Sequence, residues 1–140
     1  MWIENVSLEN VTKGFHFDPG HNSMLIQITD PLTEPPVPGF KHFGEIHQFR
    51  FLDSEIGMGE DHLEDAMISR DQAMEIAKLL VKARDNSTNV IVHCHAGICR
   101  SGAVAECGVI IGFQDVEVHR QPNLRVKQFI IDALIELGAL

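Results

Sequence analysis

Apolar and polar positions along the chain predict an alternation of strands and helices. Ser23–Thr29 and Glu45–Leu52 are rich in branched and aromatic residues and are bounded by turn residues, so they predict β-strands. Asn89–His93 is short and almost entirely apolar, which is typical of a central strand covered on both faces. Met1–Val6 is a fourth strand candidate.

Three further segments predict helices. Ser69 followed by Gln72 three residues later fits a capping box, and apolar positions continue this helix to about Asp85. Ser101–Phe113 is apolar on nearly every side, which indicates a buried helix. Beyond Asn123 the apolar residues recur with helical spacing, so we expect an amphipathic C-terminal helix with Asn123 as its N-cap.

The segments between these elements predict loops and an α/β fold. Asp30–Gly39 holds four of the six prolines, and Ile56–Asp65 is glycine-rich and acidic. Strands that alternate with helices favour a single α/β domain over residues 1–140. We expect a mainly parallel central sheet of about four or five strands flanked by helices.

Composition and charge limit the partners of this domain. The chain has 140 residues, 44% of them apolar, and a formal net charge of −9. Nucleic acids and anionic membranes both require a basic face, so we expect neither as a partner. The first eleven residues carry no basic cluster of a signal peptide, and Ala103–Phe113 is too short to span a bilayer. We therefore expect a cytoplasmic protein and a monomer.

One loop carries recognisable chemistry. It lies between the predicted strand that ends at His93 and the predicted helix that begins near Ser101. Main-chain N–H groups converge where a strand, a loop and a helix N-terminus meet, and the helix dipole there favours anions. Arg100 can bind two phosphate oxygens at once, which Lys cannot. The predicted phosphate ligands are the Arg100 side chain and the main chain of His95, Ala96, Gly97, Ile98 and Cys99.

Cys94 opens this loop. The same positive field would favour its thiolate form, and a thiolate beneath a bound tetrahedral oxyanion is placed for in-line attack on phosphorus. The alternatives are a buried structural cysteine and a metal site. Neighbouring side chains on one tight loop diverge, and no second ligand pair has a fitting spacing, so we expect no metal. The chemistry needs no organic cofactor.

Residues 93–101, with the pattern H-C-x5-R-S, resemble the signature of cysteine-based protein tyrosine and dual-specificity phosphatases. The segment 24–53, the helix near Ser69 and the Pro122-Asn123 pair are similar to the small phosphatases of bacteria and their viruses. The resemblance implies a phosphatase-like fold and a cysteinyl-phosphate intermediate on Cys94. It also implies that Ser101 assists the thiolate as leaving group and that His93 orients and tunes Cys94.

The resemblance further implies an upstream Asp that protonates the leaving oxygen and then helps to activate water. Asp53 fits best, because it closes the strand-like F-R-F-L run and precedes the acidic loop. Asp61 and Asp65 are the alternatives.

These residues predict a cysteine-dependent phosphatase acting on phosphotyrosine or mixed phosphoprotein substrates. A phosphoinositide or nucleotide phosphatase, an arsenate-reducing or sulfur-transferring enzyme, and an inactive phosphate-binding protein are the alternatives. The C-x4-C-R-S spacing resembles that of low-molecular-weight tyrosine phosphatases, whose two thiols can form a protective disulfide, so Cys99 is a candidate redox partner of Cys94. Arg120 either lies at the rim of the pocket and meets substrate or is an exposed, solubilising charge, and we favour the exposed charge.

Overall fold

The structure is a computed structural model, and it describes residues 1–14, 19–39, 43–54 and 65–140. The described elements in chain order are β1 (Trp2–Ser7), α1 (Leu8–Lys13), β2 (Ser23–Thr29), β3 (Glu45–Arg50), α2 (Arg70–Asp85), β4 (Asn89–Cys94), α3 (Arg100–Ile110), β5 (Gln114–Asp115) and α4 (Leu124–Glu136).

The five strands form one parallel sheet in the order β3-β2-β4-β1-β5. This confirms the predicted α/β class and the predicted strand count. Parallel strands all end at one edge of the sheet. The segments that follow β2, β3 and β4 therefore meet there, namely Asp30, Phe51 to Asp53, and the loop after Cys94. The candidate chemistry lies at this edge, where parallel sheets bind ligands.

Side chains alternate between the two faces of the sheet, and both faces are covered. On one face Val90 and Val92 of β4 join a large apolar core shared with α2, α3 and α4. On the other face Ile91 packs in a smaller cluster with Val11 of α1. Burial on both faces is the reason that β4 has an almost continuous apolar sequence.

Local capping signals fix the starts of two helices as predicted. The Ser69 hydroxyl accepts a hydrogen bond from Gln72 N at 3.1 Å, and Gln72 Oε1 accepts one from Ser69 N at 2.9 Å. Asn123 Oδ1 accepts a hydrogen bond from Val126 N at 3.0 Å at the start of α4. The buried helix α3 begins one residue earlier than predicted and ends at Ile110.

Two short elements were not predicted. Ser7 caps α1, a six-residue helix, by accepting a hydrogen bond from Asn10 N at 3.2 Å. The two residues of β5 pair with the start of β1. Asp30–Gly39 contains neither helix nor strand, as expected of a loop, whereas the predicted Ile56–Asp65 loop lies outside the described residues except for Asp65. No helix within the described ranges is long and apolar enough to cross a membrane.

Candidate active site

The loop between β4 and α3 is held by its carbonyl groups. Four of its carbonyl oxygens accept hydrogen bonds from distant segments of the chain. The pairs are Leu8 N to His95 O at 3.1 Å, Asn5 Nδ2 to Gly97 O at 2.7 Å, Gln121 N to Ile98 O at 3.1 Å, and Asn123 N to Cys99 O at 3.0 Å. Each carbonyl is thus tied to the protein surrounding the loop.

The loop amides are left free by this arrangement. In a trans peptide the N–H of one residue points away from the preceding carbonyl, so outward carbonyls direct the following amides inward. Within the described chain, the N–H groups from His95 to Arg100 donate no hydrogen bond to a main-chain carbonyl. A ring of unpaired amides beside a helix N-terminus is a binding site for an anion.

Gly97 is the residue that lets the loop lie against β1. Its φ is +76°, and a Cβ there would lie 2.4 Å from the carbonyl carbon of Val6 and 2.5 Å from Ser7 N. Both atoms belong to the main chain of β1, which cannot move aside without disturbing the sheet. Only glycine fits this position.

Cys94 lies at the end of β4, lines a pocket together with Arg100, and is 2% exposed. Its Sγ is 3.2 Å from the Ser101 hydroxyl, which is buried in the first turn of α3. The hydroxyl is therefore within hydrogen-bonding distance of the sulfur.

Arg100 is 4% exposed and held along one edge. Its Nη1 donates to Asp30 Oδ1 at 2.7 Å and to the Phe51 carbonyl at 2.8 Å. Among the described residues, its buried Nε has no hydrogen-bond partner. The guanidinium is thus fixed through Nη1, while the edge formed by Nε and Nη2 is left to bind a ligand. That edge matches two oxygens of a phosphate.

Asp53 is held at the pocket by Asn123. Asn123 Nδ2 donates to Asp53 Oδ1 at 2.8 Å. The pocket has a volume of about 280 Å³, and its lining residues are Asp30, Asp53, Cys94, His95, Ala96, Cys99 and Arg100. The structure thus brings Asp53 together with Cys94 and Arg100, whereas Asp65 is exposed and does not line the pocket. Asp61 lies outside the described residues.

The other two cysteines are poor thiolates. Burial, together with the negative charge of Asp53, raises the pKa of Cys99, and burial raises the pKa of Cys107 to about 12. All three cysteines are free thiols in this structure. The pairing of Cys94 with Cys99 under oxidation stays a prediction.

His93 is fully buried beside Cys94, and its Nδ1 lies 3.3 Å from the Cys94 carbonyl oxygen. Burial lowers its pKa to about 4; the nearby Arg100 charge adds to this, and the contact with the Cys94 carbonyl opposes it. His93 is therefore a neutral imidazole near pH 7, and the Cys94 carbonyl can accept a hydrogen bond from its Nδ1–H.

Sequence reasoning missed Asp30 and two asparagine contacts. Asp30 was assigned only to a proline-rich loop, although it directly follows a predicted parallel strand, and that position was the available signal. Nothing local marked Asn5 as a partner of the loop, or Asn123 as a partner of Asp53. The prediction for Arg120 was wrong about exposure: its side chain is 11% exposed and forms an ion pair with Asp115.

Metal ligands are not grouped in the described part of the chain. No set of three or more His, Cys, Asp or Glu side chains there is arranged to hold a metal ion. The metal-ligand candidates by sequence were His93, Cys94, His95 and Cys99, which lie at the end of β4 and in the loop after it.

Comparisons with known proteins find similarity among solved structures only. No protein-family model matches the chain, and neither does any curated protein. A similar solved structure is that of OH1 from the Orf virus, which is described as a tyrosine phosphatase with distinct structural features and triple substrate specificity. The two are 14% identical, the alignment covers 99% of this chain and 72% of OH1, and the TM-score is 0.48. These values are too low to carry a function from one protein to the other.

Proposed function

We propose that this protein is a cysteine-dependent phosphatase that hydrolyses phosphomonoesters through a cysteinyl-phosphate intermediate. One observation carries the proposal: Cys94, Arg100 and three loop residues whose main-chain N–H groups donate to no described main-chain carbonyl, namely His95, Ala96 and Cys99, line one pocket of about 280 Å³. Converging N–H donors beside a helix N-terminus favour the oxygens of an anion, and the Cys94 thiol is the nucleophile of the proposed reaction.

In the first step the Cys94 thiolate attacks phosphorus, and the bond between phosphorus and the ester oxygen breaks. The protonated Asp53 carboxyl gives its proton to that oxygen, so the product leaves as an alcohol or phenol. Arg100 and the amides of residues 95–100 hold the three equatorial oxygens, where charge is spread in the transition state.

In the second step water attacks the cysteinyl phosphate and gives a proton to the Asp53 carboxylate. The bond between phosphorus and sulfur breaks, and inorganic phosphate is released. The Ser101 hydroxyl, 3.2 Å from the sulfur, donates a hydrogen bond to the departing thiolate. Asp53 ends protonated and Cys94 ends as a thiolate, so the cycle closes.

Phosphotyrosine and mixed phosphoprotein substrates fit this pocket better than multiply phosphorylated ones. The loop offers Arg100 as its one permanently charged side chain, since residues 95–99 include neither Lys nor Arg. Among the described residues, the acidic side chains on the pocket wall are Asp30 and Asp53, and the wall there includes no Lys and no Arg besides Arg100. A second phosphate on an inositol or nucleotide would meet no further Lys or Arg in that part of the wall, so substrates with one phosphate are favoured.

The first test is hydrolysis of an aryl phosphate by Cys94→Ser. We expect activity to vanish, while Cys107→Ser, which changes a thiol outside the pocket, should retain the wild-type rate. Full activity in Cys94→Ser would refute the mechanism. Comparing kcat/KM for phosphotyrosine, phosphoserine and phosphoinositide substrates would then define the substrate class.

The second test concerns the acid. Asp53→Asn should lower kcat by about 10²–10⁴ while substrate still binds. Asp65→Asn is the matched control, because that carboxylate lies away from the pocket, and it should leave kcat unchanged. If kcat falls in Asp61→Asn or Asp65→Asn and stays unchanged in Asp53→Asn, the general acid is that other carboxylate.

A further inference from the structure

Asn123 joins three parts of the site through one side chain and its own main chain. It is 3% exposed. Its main-chain N donates to Cys99 O at 3.0 Å, and its Oδ1 accepts from Val126 N at 3.0 Å. Its Nδ2 donates to Asp53 Oδ1 at 2.8 Å. A single residue thus contacts the loop between β4 and α3 (residues 95–99, the phosphate loop of the proposed function), the N-terminus of α4 and the candidate acid.

As the N-cap of α4, Asn123 uses only its side-chain oxygen. A cap needs an acceptor, which Ser and Asp supply as well as Asn does. Asn also carries an NH₂ group, which the cap does not require. At this position the NH₂ donates to a carboxylate on the wall of the pocket. This second contact is therefore separable from the role of Asn123 in starting α4.

The two contacts fix each other. Because Oδ1 is held by Val126 N, the amide plane cannot rotate freely, and its NH₂ must extend to the opposite side. Because the Asn123 main chain is bound to Cys99 O, that NH₂ also has a set position relative to the phosphate loop. Asp53 itself is exposed and lies three residues beyond the end of β3. The rigid partner of this pair is Asn123.

We propose that Asn123 is a positioning residue for proton transfer by Asp53, an inference that rests on the function proposed above. Nδ2 donates to Oδ1, so Oδ1 must be an unprotonated oxygen. The acid form of Asp53 therefore carries its proton on Oδ2. Asn123 selects which oxygen holds the proton and keeps it at a constant distance from the ester oxygen bound above Cys94.

The test is the dependence of kcat on the leaving group in Asn123→Ser. This variant keeps the cap acceptor and loses the NH₂ group, which donates to Asp53 Oδ1 at 2.8 Å and to the Ser54 carbonyl at 3.4 Å. An aryl phosphate with an unactivated phenol needs a proton on its leaving oxygen, whereas a dinitrophenyl phosphate does not. We expect kcat to fall about 10-fold to 100-fold for phenyl phosphate, because misplacing a catalytic group costs rates of that order. We expect kcat for dinitrophenyl phosphate to be unchanged and KM to be unchanged for both.

Two further variants separate positioning from stability. Ser69→Ala removes the N-cap of α2, away from the pocket, and should lower thermal stability without altering the ratio of the two kcat values. In an Asp53→Asn background, Asn123→Ser should cause no additional loss, because both changes disable the same proton transfer. If Asn123→Ser does not fold, Asn123→Asp is used, which keeps the cap acceptor and places a carboxylate opposite Asp53. The ratio of kcat for phenyl phosphate to kcat for dinitrophenyl phosphate should fall in this variant too.

The outcomes distinguish this inference from the proposed function. An inactive wild type, or activity that survives in Cys94→Ser, overturns the phosphatase proposal and the inference with it. Suppose instead that activity depends on Cys94. The inference alone is overturned if Asn123→Ser lowers kcat equally for both substrates, if it lowers kcat for neither, or if its effect adds to that of Asp53→Asn.

Discussion

His93 should make folding sensitive to mild acid. The imidazole is fully buried, and its pKa falls from about 6.5 to about 4 on folding. Between these values the unfolded chain binds a proton that the folded chain does not. The stabilising contribution is therefore complete above pH 6.5, and it is lost as the pH falls toward 4.

The size of the effect follows from the two pKa values. Lowering the pH from 7 to 5 should reduce the free energy of unfolding by about 2 kcal/mol through His93 alone. Glu45 contributes at lower pH, because a hydrogen bond from Lys82 lowers its pKa from an ordinary value of 4.5. The chain has seven further histidines, so the contribution of His93 is obtained by comparison with a His93 variant.

Urea unfolding at several pH values between 7 and 5 measures this contribution. His93→Gln removes the titrating group, so its stability should vary with pH by about 2 kcal/mol less than that of the wild type over this interval. His119→Gln is the control, because the His119 side chain is exposed, and it should retain the wild-type dependence. If His93→Gln and wild type lose stability in parallel, the buried neutral imidazole is the wrong explanation.

Two further predictions concern the phosphate loop. Gly97→Ala should abolish aryl phosphate hydrolysis and cost at least about 1 kcal/mol of stability, because its Cβ would overlap the main chain of β1. Gly20→Ala is the control, because Gly20 has nearly the same φ as Gly97, +75° against +76°, but a Cβ there would meet no atom within 4 Å. It should keep full activity. If the two variants lower the hydrolysis rate equally, the steric argument is wrong. Asp30→Ala leaves Nη1 of Arg100 bonded to the Phe51 carbonyl alone and should raise KM about fivefold, since the partly exposed ion pair with Asp30 stabilises the bound geometry by about 1 kcal/mol. Steady-state kinetics that show an unchanged KM would mean that the Phe51 carbonyl suffices.

The parts that sequence predicted well depend on short-range physics. The capping box at Ser69 and the N-cap at Asn123 each involve residues within one helical turn, so three or four letters suffice to recognise them. The alternation of apolar strands with helices likewise led to the parallel sheet. The H-C-x5-R-S segment is contiguous, and the structure brings Cys94, Arg100 and Asp53 to one pocket as expected.

The parts that sequence missed depend on contacts between distant residues or on very short elements. Asp30 and Arg100 form a hydrogen bond although they are 70 positions apart in the sequence, and no local pattern near either residue predicts this pair. Asn123 is 70 positions from Asp53, and its capping role concealed the second contact. The two residues of β5 have too little length for any periodicity to show, and they form a strand only because β1 lies beside them.

The four donors that hold the phosphate loop have a consequence for protein synthesis. Two of them, Asn5 and Leu8, are made before the loop, and two, Gln121 and Asn123, are made after it. A nascent chain that ends at residue 118 already contains Cys94 and Arg100, but the carbonyls of Ile98 and Cys99 still lack these two partners. Domains complete their tertiary contacts only once the required segments have emerged from the ribosome. Cys94 is therefore translated before two of the donors that hold the loop, and under the proposed function reactivity toward phosphate esters should arise only after residues 121–123 have emerged.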